Sequence, residues 1–309
     1  MTLHRNYLGC DIAKRFVDLF DPRAGKPWRL ANERAPLEAF AAALDRRRDV
    51  VVLEATGSHD RLLRHVLAAH AIAHVRLNPM AARRFAQARG RLAKTDAIDA
   101  RSLAEYGAAF RPEPDAPPCP RRERLTALAR RRDQLVQARA NELKHRADAF
   151  DPDVIADIEA VIALLDARIR DIETVIDRQL RANPTLAEQA GRLMSAPGVG
   201  PVTALTILAH MPELGSLSPK AAAALAGLAP INDDSGQRHR RRVIRGGRPR
   251  VRKALYMAAL GAIRANHRFN AFYKALAARS GSKKLAIVAV ARKLLIALNA
   301  MIRDSKAFA

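Results

Sequence analysis

Four carboxylates stand where they could hold metal ions. Asp11 lies inside an apolar run, and Glu54 closes a second one. Asp96 and Asp99 are three residues apart at the start of a predicted helix, so both project from one face. Each acid also has a structural explanation, for example a helix N-cap at Asp96 or a solvated helix position at Asp99. Hard cations such as Mg²⁺ need several oxygen ligands, and paired ions need carboxylates from different elements. The joint arrangement therefore indicates a metal site at one edge of a sheet.

A single serine precedes a dense run of arginines in the C-terminal third. Ser235 lies in Asp234-Ser-Gly236, and from the residues alone it is a turn serine. The run that follows has few acids, which favours contact with phosphates over a solvated loop. It consists of Arg238, Arg240, Arg241, Arg242, Arg245, Arg248, Arg250 and Arg252.

Two glycines form a second candidate contact with nucleic acid. Gly198 and Gly200 lie in Pro197-Gly-Val-Gly-Pro201, between two apolar helical stretches. This pattern predicts a helix-hairpin-helix turn whose backbone N–H groups approach a phosphate. A plain turn between two packed helices would have the same sequence, so both interpretations stay open.

The elements before residue 113 alternate between strand and helix patterns. They predict a mixed sheet covered by helices over residues 1–112. The predicted strands are Tyr7–Ala13, Arg15–Phe20, Asp49–Glu54 and Ala73–Leu77, and the predicted helices are Pro36–Arg47, Arg61–Ala71 and Ala97–Tyr106.

A proline-rich segment separates this region from two long helices over residues 113–190. The first helix, Arg121–Ala149, is basic and the second is acidic. Isoleucine and leucine recur in the second helix at alternating spacings of three and four, which predicts a coiled-coil seam. The seam consists of Ile155, Ile158, Ile162, Leu165, Ile169, Ile172 and Ile176. It would pair the two helices within a chain, join subunits or serve as a spacer; we predict that it joins subunits. Residues 191–309 are predicted to be all-helical.

Charge is concentrated in the last region. The chain of 309 residues has 54 Lys and Arg against 31 Asp and Glu, and its net charge is +23. Residues 191–309 hold 21 of the basic residues and 4 of the acidic ones, whereas residues 1–112 hold 20 and 12. A polyanionic partner is therefore expected. We predict no membrane partner, and Cys10 and Cys119 are too few for a disulfide framework or a zinc site.

Several motifs in order along the chain resemble one known family. Gly9-Cys-Asp11-Ile-Ala-Lys14, Glu54-Ala-Thr-Gly57 and Lys94-Thr-Asp96-Ala-Ile-Asp99-Ala-Arg101 are similar to the motifs of DEDD transposases of bacterial insertion sequences. These are the "insertion sequence one-ten" family, relatives of the Piv invertase. Ser195–Gly200, Asp234–Gly236 and Gly246–Met257 resemble its C-terminal transposase domain.

The resemblance implies a RuvC-like domain with an RNase H fold, whose Mg²⁺ ligands are Asp11, Glu54, Asp96 and Asp99. It also implies that Ser235 is a nucleophile that becomes covalently attached to DNA. The implied partners are donor and target DNA, a structured guide (bridge) RNA and further copies of the chain, as a dimer or as a tetramer on DNA. The implied location is the bacterial cytoplasm, at the nucleoid.

Three hypotheses follow for the function. The first is a recombinase with a covalent serine–DNA intermediate. The second is a metal-only junction nuclease in which Ser235 has no chemical role. The third is a non-catalytic architectural protein, which would leave four acids in so basic a chain unexplained.

Overall fold

The chain folds into two compact units, residues 1–119 and 120–309. The boundary lies in the proline-rich segment that sequence analysis marks. The computed structural model describes residues 5–55, 57–90, 96–231, 234–235, 238–239 and 243–308. The side chains of residues 96–98, 231, 234–235 and 238–239 lie outside this description.

The N-terminal unit is built on the predicted mixed sheet, which has five strands in the order β3-β2-β1-β4-β5. β1 pairs in parallel with β4 and antiparallel with β2, so it occupies the centre. The strands are β1 (Asn6–Ile12), β2 (Phe16–Phe20), β3 (Pro27–Ala31), β4 (Asp49–Glu54) and β5 (Ala73–Leu77). β3 was not predicted, because only five residues starting with proline carry its pattern. It lies at the sheet edge, where proline is tolerated.

Helices cover both faces of this sheet. α1 (Arg34–Ala42) and α2 (Arg61–Ala69) bury leucines and Phe40 against the face that carries Leu8, Cys10 and Leu53. α3 (Pro79–Ala88) and α4 (Asp96–Phe110) lie over the other face, where Leu103 packs with Tyr7, Val50 and Val52. Period-two alternation along the strands thus divides the residues of each strand between two cores.

The C-terminal unit opens with a long helical hairpin of α5 (Pro120–Asp148) and α6 (Pro152–Arg181). Three ion pairs show that the two helices are antiparallel. From one pair to the next, the residue number increases by seven on α5 and decreases by seven on α6. The pairs are Arg132–Glu173 at 2.7 Å, Arg139–Asp166 at 2.5 Å and Arg146–Glu159 at 2.6 Å. Such half-exposed pairs stabilise little individually but set the register.

The isoleucine seam of α6 faces α5 of the same chain. Ile158 and Ile176 are buried, and the other seam members are half-buried. Ile158, Leu165 and Ile172 each directly precede one of the paired acids. Of the three interpretations left open, the structure shows the pairing of α5 and α6 within one chain. A second subunit that contacted this seam would have to share the seam residues with α5.

Four of the remaining helices pack against α12 (Lys283–Arg303): α7 (Pro184–Met194), α9 (Pro219–Leu225), α10 (Pro249–Ala265) and α11 (His267–Ser280). α8 (Pro201–His210) packs against α5, α7 and α10. By length and composition alone, α12 is long and apolar enough to span a membrane. Val290, Ala291, Leu294, Leu295 and Leu298 are nevertheless fully buried, so α12 is the core helix of this unit.

The prediction of an all-helical region after residue 190 is wrong. Two small antiparallel sheets lie between α9 and α10, formed by β6 (Pro230–Ile231) with β9 (Val243–Ile244) and by β7 (Asp234–Ser235) with β8 (Arg238–His239). β9 consists of only two β-branched residues, Val243 and Ile244, and the arginines on either side of them leave no alternating pattern that predicts a strand.

Candidate active site

Three acids form a row across the centre of the N-terminal sheet. Cys10 lies opposite Leu53 in the parallel ladder, and Asp11 and Glu54 are the next residues on their strands. Asp11 lies directly opposite Asp18 in the antiparallel ladder with β2. Residues opposite each other share a face, so Asp18, Asp11 and Glu54 project on the same side.

Helix α4 brings the other two predicted ligands to this row. A Cβ placed on Gly9 would lie 1.7 Å from the carbonyl oxygen of Ala100, and one placed on Gly107 would lie 2.7 Å from the ring of Tyr7. α4 therefore runs antiparallel to β1, in close backbone contact, on the face that Asp11 shares with Gly9.

The start of α4 consequently lies near the end of β1 that carries Asp11. Asp96 is the first residue of α4, and its side chain lies outside the described residues. Asp99 follows in the first turn and is half-buried. The four predicted ligands thus come from the ends of two strands and the start of a helix at one corner of the sheet.

The donor chemistry of this corner fits Mg²⁺, because every candidate ligand is a carboxylate. Among the side chains that the structure describes, no three Asp, Glu, His or Cys lie close enough together to bind a metal ion. Asp96 is not among those side chains. Metal binding by the four acids therefore stays a prediction.

Asp18 is a functional candidate that sequence reasoning missed. It is 8% exposed, and Arg29 on β3 donates to both of its carboxylate oxygens at 3.0 and 2.9 Å. Arg29 stands opposite Asp18 in the ladder, so the row continues as Arg29, Asp18, Asp11, Glu54. An acid within an apolar strand was the argument used for Asp11, and it applies equally to Asp18.

The buried thiol of Cys10 has no nucleophilic role here. Burial raises its pKa well above the usual range, and the negative charges of Asp11 and Asp18 raise it further. A thiol with a raised pKa is protonated and unreactive.

Ser235 lies at the end of β7 in the C-terminal unit. It stands opposite Arg238, and Asp234 stands opposite His239. The side chains of these residues lie outside the described part, as do Arg240, Arg241 and Arg242. The backbone thus places the predicted nucleophile directly opposite a predicted phosphate-binding arginine.

Two of the predicted phosphate-binding arginines have internal contacts. Arg248 donates to both carboxylate oxygens of Glu213 at 2.6 Å and to the carbonyl of His210 at 2.8 Å. Arg252 donates to the carbonyl of Gly246 at 2.7 Å. These contacts hold the segment that leaves β9 against the body of the unit.

Two other arginines whose side chains the structure describes, Arg245 and Arg250, are more exposed. Arg250 lies 3.5 Å from Asp133, and both side chains are 43% exposed. Arg245 is exposed. Contact with phosphate stays a prediction for the whole run. Among the arginines whose side chains the structure describes, the exposed Arg245 is the best candidate for it.

The two glycines of the predicted helix-hairpin-helix turn differ in their surroundings. Gly198 has a φ of +78°, and a Cβ there would lie 2.2 Å from the carbonyl oxygen of Ala258 on α10. Packing of the turn on α10 therefore accounts for Gly198. Gly200 is the N-cap of α8, is exposed and has open space around it. A phosphate contact through this turn stays a prediction. Gly200 is the better candidate for it, because Gly198 is packed against α10.

Two family models match separate parts of the chain. The one described as "Transposase IS116/IS110/IS902 family" matches residues 190–274, and the DEDD transposase model of IS110 type, described as "Transposase", matches residues 8–151. The chain is also 30% identical to the "Pilin gene-inverting protein" of Moraxella bovis over 268 residues, which cover 84% of this chain and 81% of that protein. The chain belongs to the IS110 family of transposases.

A second relative agrees with this assignment over a shorter range. The "Insertion element IS110 uncharacterized 43.6 kDa protein" of Streptomyces coelicolor is 30% identical over 154 residues, or 49% of this chain and 37% of that protein. The predicted family is confirmed. This IS110-family chain is a DNA transposase or recombinase of an insertion sequence, and DEDD membership implies dependence on a divalent metal ion. The hypothesis of a non-catalytic architectural protein is therefore wrong.

Proposed function

We propose that this transposase cuts and exchanges DNA strands through a covalent bond between Ser235 and DNA. In this proposal Asp11, Glu54, Asp96 and Asp99 hold Mg²⁺. The observation that supports it most is the corner of the sheet where β1, β4 and the start of α4 meet. Close contact between Gly9 and α4 keeps these elements together.

The acidic corner would supply the metal site of the reaction. Bound Mg²⁺ would offset the charge of the scissile phosphate and lower the pKa of an attacking hydroxyl. The chain's own contribution is to project carboxylates from rigid elements, which keeps their positions fixed. Arg29 neutralises Asp18, so the row presents less repulsion between neighbouring acids than its composition suggests.

Ser235 would attack the phosphorus of the scissile bond through its Oγ. The bond from phosphorus to the leaving strand oxygen breaks, that oxygen takes up a proton, and the serine proton passes to a base or to solvent. Arginines of the adjoining run would offset charge on the phosphate by bidentate contact. A phosphoserine bond conserves the energy of the phosphodiester, so no ATP is required. The sequence accordingly has no Gly-x-x-x-x-Gly-Lys-Ser/Thr loop.

We further infer that a structured guide RNA selects the DNA and that the chain acts as a dimer or as a tetramer on DNA. The net charge of +23 and the excess in residues 191–309 support binding of more than one nucleic acid. In this proposal the Ser235 segment docks on the acidic corner of its own or of another subunit. The expected location is the cytoplasm, at the nucleoid.

The deciding experiment is a denaturing gel of protein incubated with labelled, nicked target DNA, Mg²⁺ and RNA that co-purifies with the protein. Wild-type protein should give a shifted protein–DNA band. Ser235→Ala should bind DNA normally but lose the band, because the change removes one oxygen and no charge. Recombination by Ser235→Ala at the wild-type rate would overturn the serine step.

One observation favours a second candidate, a metal-only nuclease. All four candidate metal ligands belong to the N-terminal unit, whereas Ser235 belongs to the C-terminal unit. In that case Asp11→Asn would abolish cleavage while Ser235→Ala would not. The two variants in one assay therefore separate the candidates.

A further inference from the structure

The C-terminal unit contains an aromatic groove that none of the proposed chemistry uses. A cavity of about 340 Å³ lies between α11 and α12. Phe269, Phe272 and Phe308 contribute its rings, and Arg268 and Lys293 contribute its charges. A neighbouring cavity of about 410 Å³ shares Arg268 and Phe308 with the first. We call the two cavities together the α11–α12 groove.

The rings of the groove are arranged in two groups. Phe269 and Phe308 are stacked, with ring centroids 6.2 Å apart and planes at 30°. The ammonium of Lys293 lies 4.1 Å from the centroid of Phe272. The groove therefore combines flat apolar surface with a cation at one ring face.

The charges of the groove are positive and uncompensated. Among the residues that the structure describes, none that lines either cavity carries a carboxylate. Among the described residues, neither Arg268 nor Lys293 forms an ion pair with an acid. Residues 249–303, which span α10 to α12, contain twelve Lys and Arg and no Asp or Glu. A negatively charged occupant is therefore favoured over an apolar protein segment.

We propose that the α11–α12 groove binds an unpaired base of the DNA strand, with its phosphate held by Arg268 and Lys293. Base stacking on aromatic side chains combined with a basic surface is the usual chemistry of single-strand binding. The first cavity lies at the small end of the range for ligand pockets, which suits one base rather than a duplex. The proposal rests on the proposed strand exchange, because exchange must unpair bases next to the cut.

The test measures binding of the full chain to short fluorescent DNA single strands by fluorescence anisotropy, without Mg²⁺ so that no cleavage occurs. One strand is oligothymidine, and its partner has the same length with abasic sites. Wild-type protein should prefer the strand with bases. Phe272→Leu keeps apolar volume but removes the ring, so it should weaken binding of the strand with bases by about 5- to 100-fold and leave the abasic strand nearly unchanged.

Two further variants separate the contributions of charge and ring. Lys293→Gln should weaken binding of both strands and reduce the salt dependence by about one counterion. Met257→Ala, a change at an exposed apolar residue of α10 outside the groove, should leave binding unchanged. Melting curves identify any variant that fails to fold, and the wild-type comparison of the two strands does not depend on the variants.

Equal wild-type affinity for the two strands would overturn the proposal. Tighter binding of the matching RNA strand would overturn the assignment to DNA. If the Phe272→Leu variant changed its oligomeric state but kept its base-dependent binding, the groove would be a protein contact. That result would also overturn the proposal. Because the binding assay needs no catalysis, the groove proposal can be refuted while the serine mechanism is supported. Equally, the serine mechanism can be refuted while the groove proposal is supported.

Discussion

Gly9→Ala tests whether close contact between β1 and α4 assembles the acidic corner. The added Cβ would lie 1.7 Å from the carbonyl oxygen of Ala100 and 2.7 Å from the amide nitrogen of Ala104. Both atoms belong to the backbone of a helix, so no side chain can rotate away. Ordinary contact needs about 3.5 Å, which means that α4 and β1 must separate by about 1.8 Å.

Such a shift is large for both stability and chemistry. Overpacking of a core costs about 1–3 kcal/mol or more, which lowers the Tm of a unit of this size by at least about 4 °C. Metal ligands tolerate displacements of only about 0.2 Å, so the shift would take the start of α4 out of the proposed metal site that contains Asp11. We therefore expect Mg²⁺-dependent DNA cleavage to fall by at least about 100-fold.

Differential scanning calorimetry and a cleavage assay on labelled DNA measure the two effects. Gly191→Ala is the matched control, because a Cβ there meets nothing within 4 Å and the position is helical. It should keep full activity and gain slight stability. Wild-type melting and cleavage in Gly9→Ala would refute the idea that this contact assembles the site.

Three other changes test the C-terminal unit. The double change Ile162→Asp with Ile169→Asp should unfold the α5–α6 hairpin and not merely separate subunits, because the seam packs within the chain. Circular dichroism should show a loss of helix, and a monomer with full helix content would contradict this. Burial and, to a smaller extent, the positive charges of nearby arginines together lower the pKa of His210 from 6.5 to about 4. The unfolded chain therefore binds the extra proton between pH 6.5 and 4, so stability should fall as the pH drops through this range. His210→Gln should flatten that dependence in urea titrations, and an unchanged slope would argue against it. Arg248→Met should lower the Tm with little effect on DNA affinity, whereas Arg245→Met should weaken DNA binding at low salt and leave the Tm unchanged; the reverse pattern would show that Arg248 contacts phosphate.

The sequence by itself determined the local elements and the residue types of the N-terminal site. β4 and β5 were predicted with their observed bounds, because β4 is a short β-branched apolar run and β5 alternates between apolar and polar residues. Asp11 and Glu54 could be selected because an acid in or next to such a run is costly without a function. The family followed from motifs spread along the chain.

Only the tertiary structure decided which residues meet. Asp18 joins the acid row through strand pairing, a relation between residues that period-two alternation does not encode. The isoleucine seam has one pattern whether its partner is α5 or another subunit, and only the ion pairs with α5 show that it packs within the chain. Arg248 resembles its neighbours in the arginine run, yet Glu213, 35 residues earlier, engages it within the fold. Long-range pairing depends on backbone geometry, whereas spacing along the chain reports only the face on which each residue lies.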